Sequence, residues 1–241
     1  MPVYTARRKV KSQDGITSKP RFAKRRLVVT EKWGYNGVNI KPIEQLLNFP
    51  IMDHIGKLCK TTSPVVVDWG CGKAISTEEI ARANPRAKVY GFSKDSYLDW
   101  NLLFMGGKTK KGSASKNLKL IHAEANDFFR YFKNSSIDFM FSRLGLVHLK
   151  NLPLYLERVV PKLKVGGMVV TDCQYTRREF LSILKISESG LKIGEPKIVK
   201  IRNGFFKKPT LKHVYSFSNF EIEFNKRPGD GKNIIILRRT N

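Results

Sequence analysis

The chain has 241 residues, 41% of them hydrophobic, with 45 Lys and Arg against 20 Asp and Glu and a formal charge of +25. That length supports one full-sized domain with a core of its own, so neither a disulfide nor a metal staple is demanded. The longest apolar runs, such as Val65–Val67 and Ile234–Leu237, are strand-length and too short to cross a bilayer, and the first residues lack the apolar centre of a secretory signal.

The basic excess is uneven. Residues 1–33 hold ten basic side chains (Arg7, Arg8, Lys9, Lys11, Lys19, Arg21, Lys24, Arg25, Arg26 and Lys32) against Asp14 and Glu31. They show no sustained apolar period, and read as a flexible basic arm preceding a domain over 34–241. Residues 101–120 add five lysines and no acid, and the stretch from Lys192 onward has twelve basic residues against four acidic. A near-neutral centre with cationic flanks points to a nucleic-acid or ribonucleoprotein partner and to no membrane, and leaves the oligomeric state unread. Trp33, Tyr35, Phe205, Phe206, Tyr215 and Phe217 lie among these charges, where aromatic rings can stack on bases. Cys59, Cys71 and Cys173 are scattered, with no CxxC pair and no zinc spacing. They imply a reducing compartment, the cytoplasm, or an organelle if the basic N-terminus is a targeting segment.

From Ile40 helical and strand patterns alternate. Leu46, Leu47, Ile51, Ile55 and Leu58 give helical spacing over Ile43–Cys59, with Pro50 as an interruption. Val65–Val67 reads as a short buried strand. Ser76, with Glu79 three residues on, reads as the capping box of a helix that stops at Asn84-Pro85. Strands follow at Lys88–Phe92, Leu118–Ala123 and Ile137–Ser142. Asn151 is placed as the cap of a helix running through Leu163, and Gly166-Gly167 as the turn before a fifth strand, Met168–Cys173. Phe220, Ile222 and Phe224 alternate with Glu221, Glu223 and Asn225, the period of a strand with one wetter face. A turn over 227–231 leads to a last strand, Asn233–Arg239. The expected fold is α/β: a Rossmann-like, doubly wound, mostly parallel sheet ending in an antiparallel C-terminal hairpin.

Asp68-Trp69-Gly70-Cys71-Gly72 follows directly on the first strand of this series and precedes the capped helix. Glycines there let the backbone turn sharply and lie close to a ligand at the carboxyl edge of the sheet. The dinucleotide fingerprint would need a third glycine where Ile75 stands, and no Walker lysine follows. An acid followed by spaced glycines resembles the first motif of the class I S-adenosylmethionine-dependent methyltransferases. The resemblance continues in order over about residues 64–173. It takes in Val89–Ser93, His122–Asn126, Asp138–Arg143 with Leu146–Leu149, and the Leu163-Lys164-Val165-Gly166-Gly167 turn.

The resemblance implies S-adenosyl-L-methionine as cofactor. It puts Asp68, Gly70, Cys71 and Gly72 at the methionine end, Ser93 at the ribose, Glu124 and Ala125 at the adenine, and Ser142 on the floor near the methyl group. Ser93 departs from the pattern: the family ends its second strand in an acid that accepts from both ribose hydroxyls. Asp95 could substitute for it. His148 stands near the methyl-transfer edge as a candidate general base. The Asn/Asp-Pro-Pro-Tyr signature of amine methylation is replaced by Ser142-Arg143-Leu144-Gly145, so the target atom is not readable. The expected function is methyl transfer to RNA, ribosomal RNA included. A non-catalytic RNA- or ribosome-binding factor on the same scaffold, or a methyltransferase for a small molecule or protein, are the alternatives.

Overall fold

Short runs rich in valine, isoleucine and phenylalanine line up as a single 11-stranded sheet. The computed structural model describes residues 4–6, 22–23, 39–94, 115–149, 151–186, 197–201, 210–226 and 233–241. In chain order the strands are β1 (Tyr4–Ala6), β2 (Phe22–Ala23), β3 (Val65–Trp69), β4 (Lys88–Ser93), β5 (Leu118–His122), β6 (Ile137–Ser142), β7 (Leu163–Cys173), β8 (Lys197–Ile201), β9 (Thr210–Ser216), β10 (Phe220–Lys226) and β11 (Asn233–Arg239). Their order across the sheet is β2-β1-β5-β4-β3-β6-β7-β11-β10-β9-β8. Strands β3 to β7 are mutually parallel where they pair, and β11 enters antiparallel between β7 and β10.

The expected doubly wound sheet is therefore present. Its central strands are buried on both faces, which is why they read as continuous apolar runs. Helices α1 (Ile40–Leu47), α2 (Ile51–Thr61) and α3 (Ile75–Ala83) cover one face, where Ile43, Ile51, Ile55 and Ile80 meet Val66, Phe139, Phe141 and Val170. On the other face lie α4 (Phe128–Tyr131), α5 (Leu152–Val159) and α6 (Arg177–Ile186), with Phe128, Leu156 and Phe180 in one cluster with Val67, Met140 and Val169. Phe139 and Phe141 go to the first face and Met140 to the second, the two-residue alternation of a strand. No helix among the described residues is long and apolar enough to cross a membrane.

Several boundaries differ from the sequence expectation, each for a physical reason. Pro50 does split the first helical stretch: α1 ends at Leu47, Asn48 turns left-handed at φ 46°, and α2 starts at Ile51. Ser76 is not the cap of α3. The helix starts at Ile75, and the Ser76 hydroxyl donates to Asp68 at 3.2 Å, while Glu79 accepts the Ile40 amide at 2.9 Å. A buried carboxylate and a helix end elsewhere in the fold outcompete the local capping box. Asn151 makes no side-chain cap bond, and α5 stops at Val159 because Val160–Lys162 tightens into a 3₁₀ turn containing Pro161. β7 already begins at Leu163. Gly166 and Gly167 lie inside it, where the register against β6 jumps from Ile137↔Leu163 to Phe139↔Met168.

At the C-terminal end the β10–β11 hairpin is present, with β8 and β9 as two further antiparallel strands beyond it. The turn over 227–231 lies outside the described residues. Glu223, expected on the wetter face, is buried and accepts from Asn225 at 2.8 Å. Tyr215 and Phe217, expected among the base-stacking candidates, are core residues, whereas Trp33, Tyr35, Phe205 and Phe206 lie outside the described residues. Of the basic arm only β1 and β2 are described: they pair antiparallel with each other, and β1 runs parallel beside β5.

Asp138 ties three elements at the opposite edge of the sheet from the strand exits. Its carboxylate accepts the Val65 amide at 2.7 Å and Lys164 Nζ at 2.8 Å. Asp138→Ala is expected to cost about 2 kcal/mol, because it strands a partly buried amide. Lys164→Ala is expected to cost less than about 1 kcal/mol, the lysine being half-exposed. Denaturant midpoints at unchanged slope check the ranking.

Candidate functional site

Strand order reverses between β3 and β6, so the loops leaving these strands diverge and open a crevice at the carboxyl edge, the place where such sheets take ligands. The inner end of the crevice is Asp68. It is 4% exposed, and Oδ2 accepts from Thr77 Oγ1 at 2.6 Å and Ser76 Oγ at 3.2 Å, both in the first turn of α3. Burial pushes its carboxyl up to about 6, against the two hydroxyl hydrogen bonds that pull it down.

The glycine loop divides its work between two residues. Gly70 has φ +84°, and its amide reaches the Phe92 carbonyl of β4 at 2.6 Å. A Cβ there would lie 2.8 Å from Gly145 Cα. Gly70 therefore serves backbone packing against the β6 exit. Gly72, at φ +52°, is the one with open space: a Cβ built on it meets nothing within 4 Å. A ligand can approach the backbone there. Ala74 follows at φ 61°, an uncommon conformation for a residue with a Cβ, and turns the chain into α3. Cys71 is buried with its thiol against Gly91, and burial followed by the Asp68 charge pushes that thiol well up, so it remains protonated.

The β6 exit forms the opposite wall. Ser142 is fully buried, and its Oγ accepts the Leu146 amide at 2.9 Å. Leu144 sits at φ 60°, and its amide donates to Asp172 Oδ1 at 2.9 Å from the end of β7. Gly145 leaves no room for a side chain: a Cβ would be 2.7 Å from the Trp69 carbonyl and 2.9 Å from Ser142 Oγ. Arg143, between these fixed points, has its Nε shielded and without a hydrogen-bond partner. His148 ends the 3₁₀ turn Leu146–His148 and is exposed, farther out along the same loop.

Ser93 closes β4, is 6% exposed, and pairs in register with His122 at the end of β5. Its carbonyl accepts the Ala123 amide at 3.0 Å. Beyond β5, Glu124 is exposed, and its carbonyl accepts the Asp127 amide at 2.8 Å. The Ala125 carbonyl accepts from Tyr155 OH at 3.1 Å, and that hydroxyl accepts in turn from Trp69 Nε1 at 3.0 Å. Burial raises the Tyr155 phenol, which keeps the proton this relay needs. Asp68, Gly70–Gly72, Ser93 and Ser142 are thus gathered on the exits of three adjacent strands, with Glu124 and Ala125 beside them and His148 at the rim. Asp95 lies outside the described residues. No group of His, Cys, Asp and Glu among the described residues is arranged to hold a metal.

Sequence reasoning missed Asp172, Gly145, Arg143 and the Trp69–Tyr155–Ala125 relay. For Asp172 the available signal was its place at the exit of an apolar strand. For the relay there was none, since its partners are 86 and 30 residues apart.

Residues 67–171 match the family model described as a methyltransferase domain. Among solved structures, the chain is similar to a SAM-dependent O-methyltransferase from Thermotoga maritima (14% identical, TM-score 0.43, covering 80% of this chain and 66% of that one). It is also similar to an rRNA methylase from Streptococcus thermophilus (16% identical, TM-score 0.42, 80% and 97% covered). A third likeness is to the 16S rRNA (adenine(1408)-N(1))-methyltransferase from Catenulisporales acidiphilia (14% identical, TM-score 0.44, 78% and 89% covered). No curated protein matches the chain.

The buried carboxyl of Asp68 has a consequence for stability. The fold favours its protonated form, so between its ordinary 3.8 and about 6 the native state keeps a proton that the unfolded chain has released. Its contribution is full below that window, declines as pH rises through it, and is level above. Relative to Asp68→Asn, the wild type is expected to lose about 3 kcal/mol between pH 4 and 7, the value of about two pKa units. Parallel stability–pH curves for the two proteins would contradict the burial argument.

Proposed function

We propose that the chain is an S-adenosylmethionine-dependent methyltransferase that acts on RNA, a reading supported by the match of residues 67–171 to the methyltransferase-domain model. The observation that carries the RNA reading is uncompensated charge. The chain has 45 basic against 20 acidic residues, and many of the acids are consumed inside the fold. Glu44, Glu79, Asp138 and Asp172 accept backbone amides, Glu78 holds Ser115, and Asp68 holds two hydroxyls. A polyanion is the partner that such a cationic excess attracts.

S-adenosylmethionine supplies an electrophilic methyl group on a sulfonium. The residues fit it: the glycine loop presents bare backbone at Gly72, and Asp68 lies directly behind. Asp68 and Gly70–Gly72 would hold the methionine end, Ser93 the ribose side, and Glu124 and Ala125 the adenine. Ser142 and Asp172 fix the β6 exit so that the acceptor atom meets a wall of constant shape. In-line alignment of this kind supplies much of the rate of a methyl transfer. His148, at the rim, would take the proton released by the acceptor, and Arg143 is the cation nearest that exit in sequence. Three free thiols suit a reducing compartment such as the cytoplasm.

Ser93 favours a second reading, an RNA-binding factor that has lost the cofactor, since a neutral hydroxyl accepts a weaker bond than a carboxylate. Calorimetry with S-adenosylhomocysteine separates the two: measurable binding supports the enzyme, and none supports the factor. The charge is tested by replacing Arg7, Arg8, Lys9, Lys24, Arg25 and Arg26 with Gln. RNA affinity is expected to fall less steeply with salt, the log–log slope flattening by up to about 4 at roughly 0.7 per contact. Cofactor affinity should be unchanged. If both proteins bind RNA alike at every salt, the arm does not contact it.

A further inference from the structure

Strands β3, β4 and β5 begin at the edge of the sheet opposite the site, and cations collect there. Lys60 lies in the last turn of α2, Arg86 and Lys88 at the entry to β4, and Lys116 and Lys119 at the entry to β5 and within it. All five are exposed. Hydrogen bonds bring them together. Arg86 Nη1 donates to the Lys60 carbonyl at 3.4 Å, and the Lys88 amide to the Pro64 carbonyl at 2.8 Å. Asn117 Nδ2 reaches the carbonyls of Ala81, Asn84 and Ala87 at 3.0, 3.0 and 2.9 Å, which sets Lys116 beside the turn that carries Arg86. Lys119 is the register partner of Tyr90, with Nζ 6.0 Å from the ring centroid. The two-residue alternation of β4 puts Lys88 on the same face as Tyr90.

None of the five is ion-paired. Among the described residues the pairs are Arg82–Glu78, Arg130–Asp127 and Lys164–Asp138. Glu78 and Asp138, which reach this edge through Ser115 and Val65, are therefore already engaged. Like charges gathered without counter-charge repel one another, and a bound polyanion relieves that cost. No large apolar side chain is exposed among them: the described examples are Ile75, at the start of α3, and Val165, in β7. A patch of charge without exposed apolar area suits phosphates, and neither apolar protein docking nor insertion into a membrane surface.

β4 runs six residues from Lys88 to Ser93, about 17 Å at 3.3 Å per residue. The patch is thus too far from the strand exits to hold the nucleotide that is methylated. We propose that this edge binds the phosphate backbone of the RNA at a distance from the target nucleotide. The proposal rests on the RNA reading above and deepens it. It places a phosphate contact on the folded domain, separate from the basic arm, and it makes the substrate an RNA long enough to reach both edges of the sheet.

The test is a salt titration of the full chain binding a 30-nucleotide poly(U). Arg86, Lys88 and Lys119 are replaced together by Gln in one variant. In a second, charge is kept with Arg86→Lys, Lys88→Arg and Lys119→Arg. A third replaces Lys41, Lys226 and Arg238 by Gln, three exposed cations elsewhere on the surface. The first variant is expected to flatten the log–log slope by about 2, at roughly 0.7 per contact. The second should keep the wild-type slope, and the third should change it by less than about 0.5. S-adenosylhomocysteine affinity should be the same in all four proteins. A first variant with the wild-type slope overturns the proposal. So does a third that flattens the slope as much, because total charge would then matter and not its place. A loss that persists in the charge-keeping variant overturns it too, by tracing the effect to packing. Binding to phosphatidylserine vesicles that falls in the first variant while RNA binding is unchanged assigns the patch to a membrane and overturns it as well. Failure of the RNA reading itself looks different, because then the wild type does not bind the RNA even at low salt.

Discussion

Two glycines in backbone contact set the geometry of this protein's functional edge. Gly70 leaves β3 and Gly145 leaves β6: a Cβ on Gly70 would stand 2.8 Å from Gly145 Cα, and one on Gly145 would stand 2.7 Å from the carbonyl oxygen of Trp69. The two strands are neighbours across the switch in strand order, so their loops should splay apart. The glycines let the two exits approach closely at Gly70, while Gly72 is left with open space. The strain of Leu144 at φ 60° is of the kind that persists only where surrounding structure over-determines it. Here the bracing is explicit: Asp172 holds the Leu144 amide and Ser142 holds that of Leu146.

The same economy governs the charges. Several carboxylates in this fold are internal fasteners. Glu79 anchors the start of α1, Glu44 the start of α2, and Asp138 the start of β3. Each holds a backbone amide that would otherwise be left unpaired at an element's end. Acids spent this way are drawn into the fold, while Arg82–Glu78, Arg130–Asp127 and Lys164–Asp138 pair among the described residues. A strongly cationic exterior is thus compatible with a conventional apolar core. It bears on partners and leaves the fold untouched.

How far the sequence could be read follows the range of the interactions involved. Strands β3 to β7 and β11 were visible because burial on both faces writes itself as an apolar run, and the helix break at Pro50 because a ring forbids a bond locally. The glycine loop was visible as a motif, but the division of labour within it was not. Gly70, a candidate ligand contact in the sequence, also packs against Gly145, 75 positions along the chain. Ser76 and Glu79 spell a capping box, yet each is claimed by a partner from another element. The contacts of Asp172 and Tyr155 are tertiary facts, invisible without coordinates. The strands β8 and β9 were missed because lysines interrupt any period in Lys197–Ile201 and Thr210–Ser216.

The central claim is that the carboxyl edge between β4 and β6 is a site for S-adenosylmethionine, built on bare backbone at Gly72 and the buried Asp68. A crystal structure with S-adenosylhomocysteine tests it most directly. The account predicts the ligand over Gly72, its methionine end toward Asp68, its ribose beside Ser93, and its sulfur toward Ser142. A ligand bound at any other place, or an edge left empty in crystals grown at saturating ligand, would contradict it.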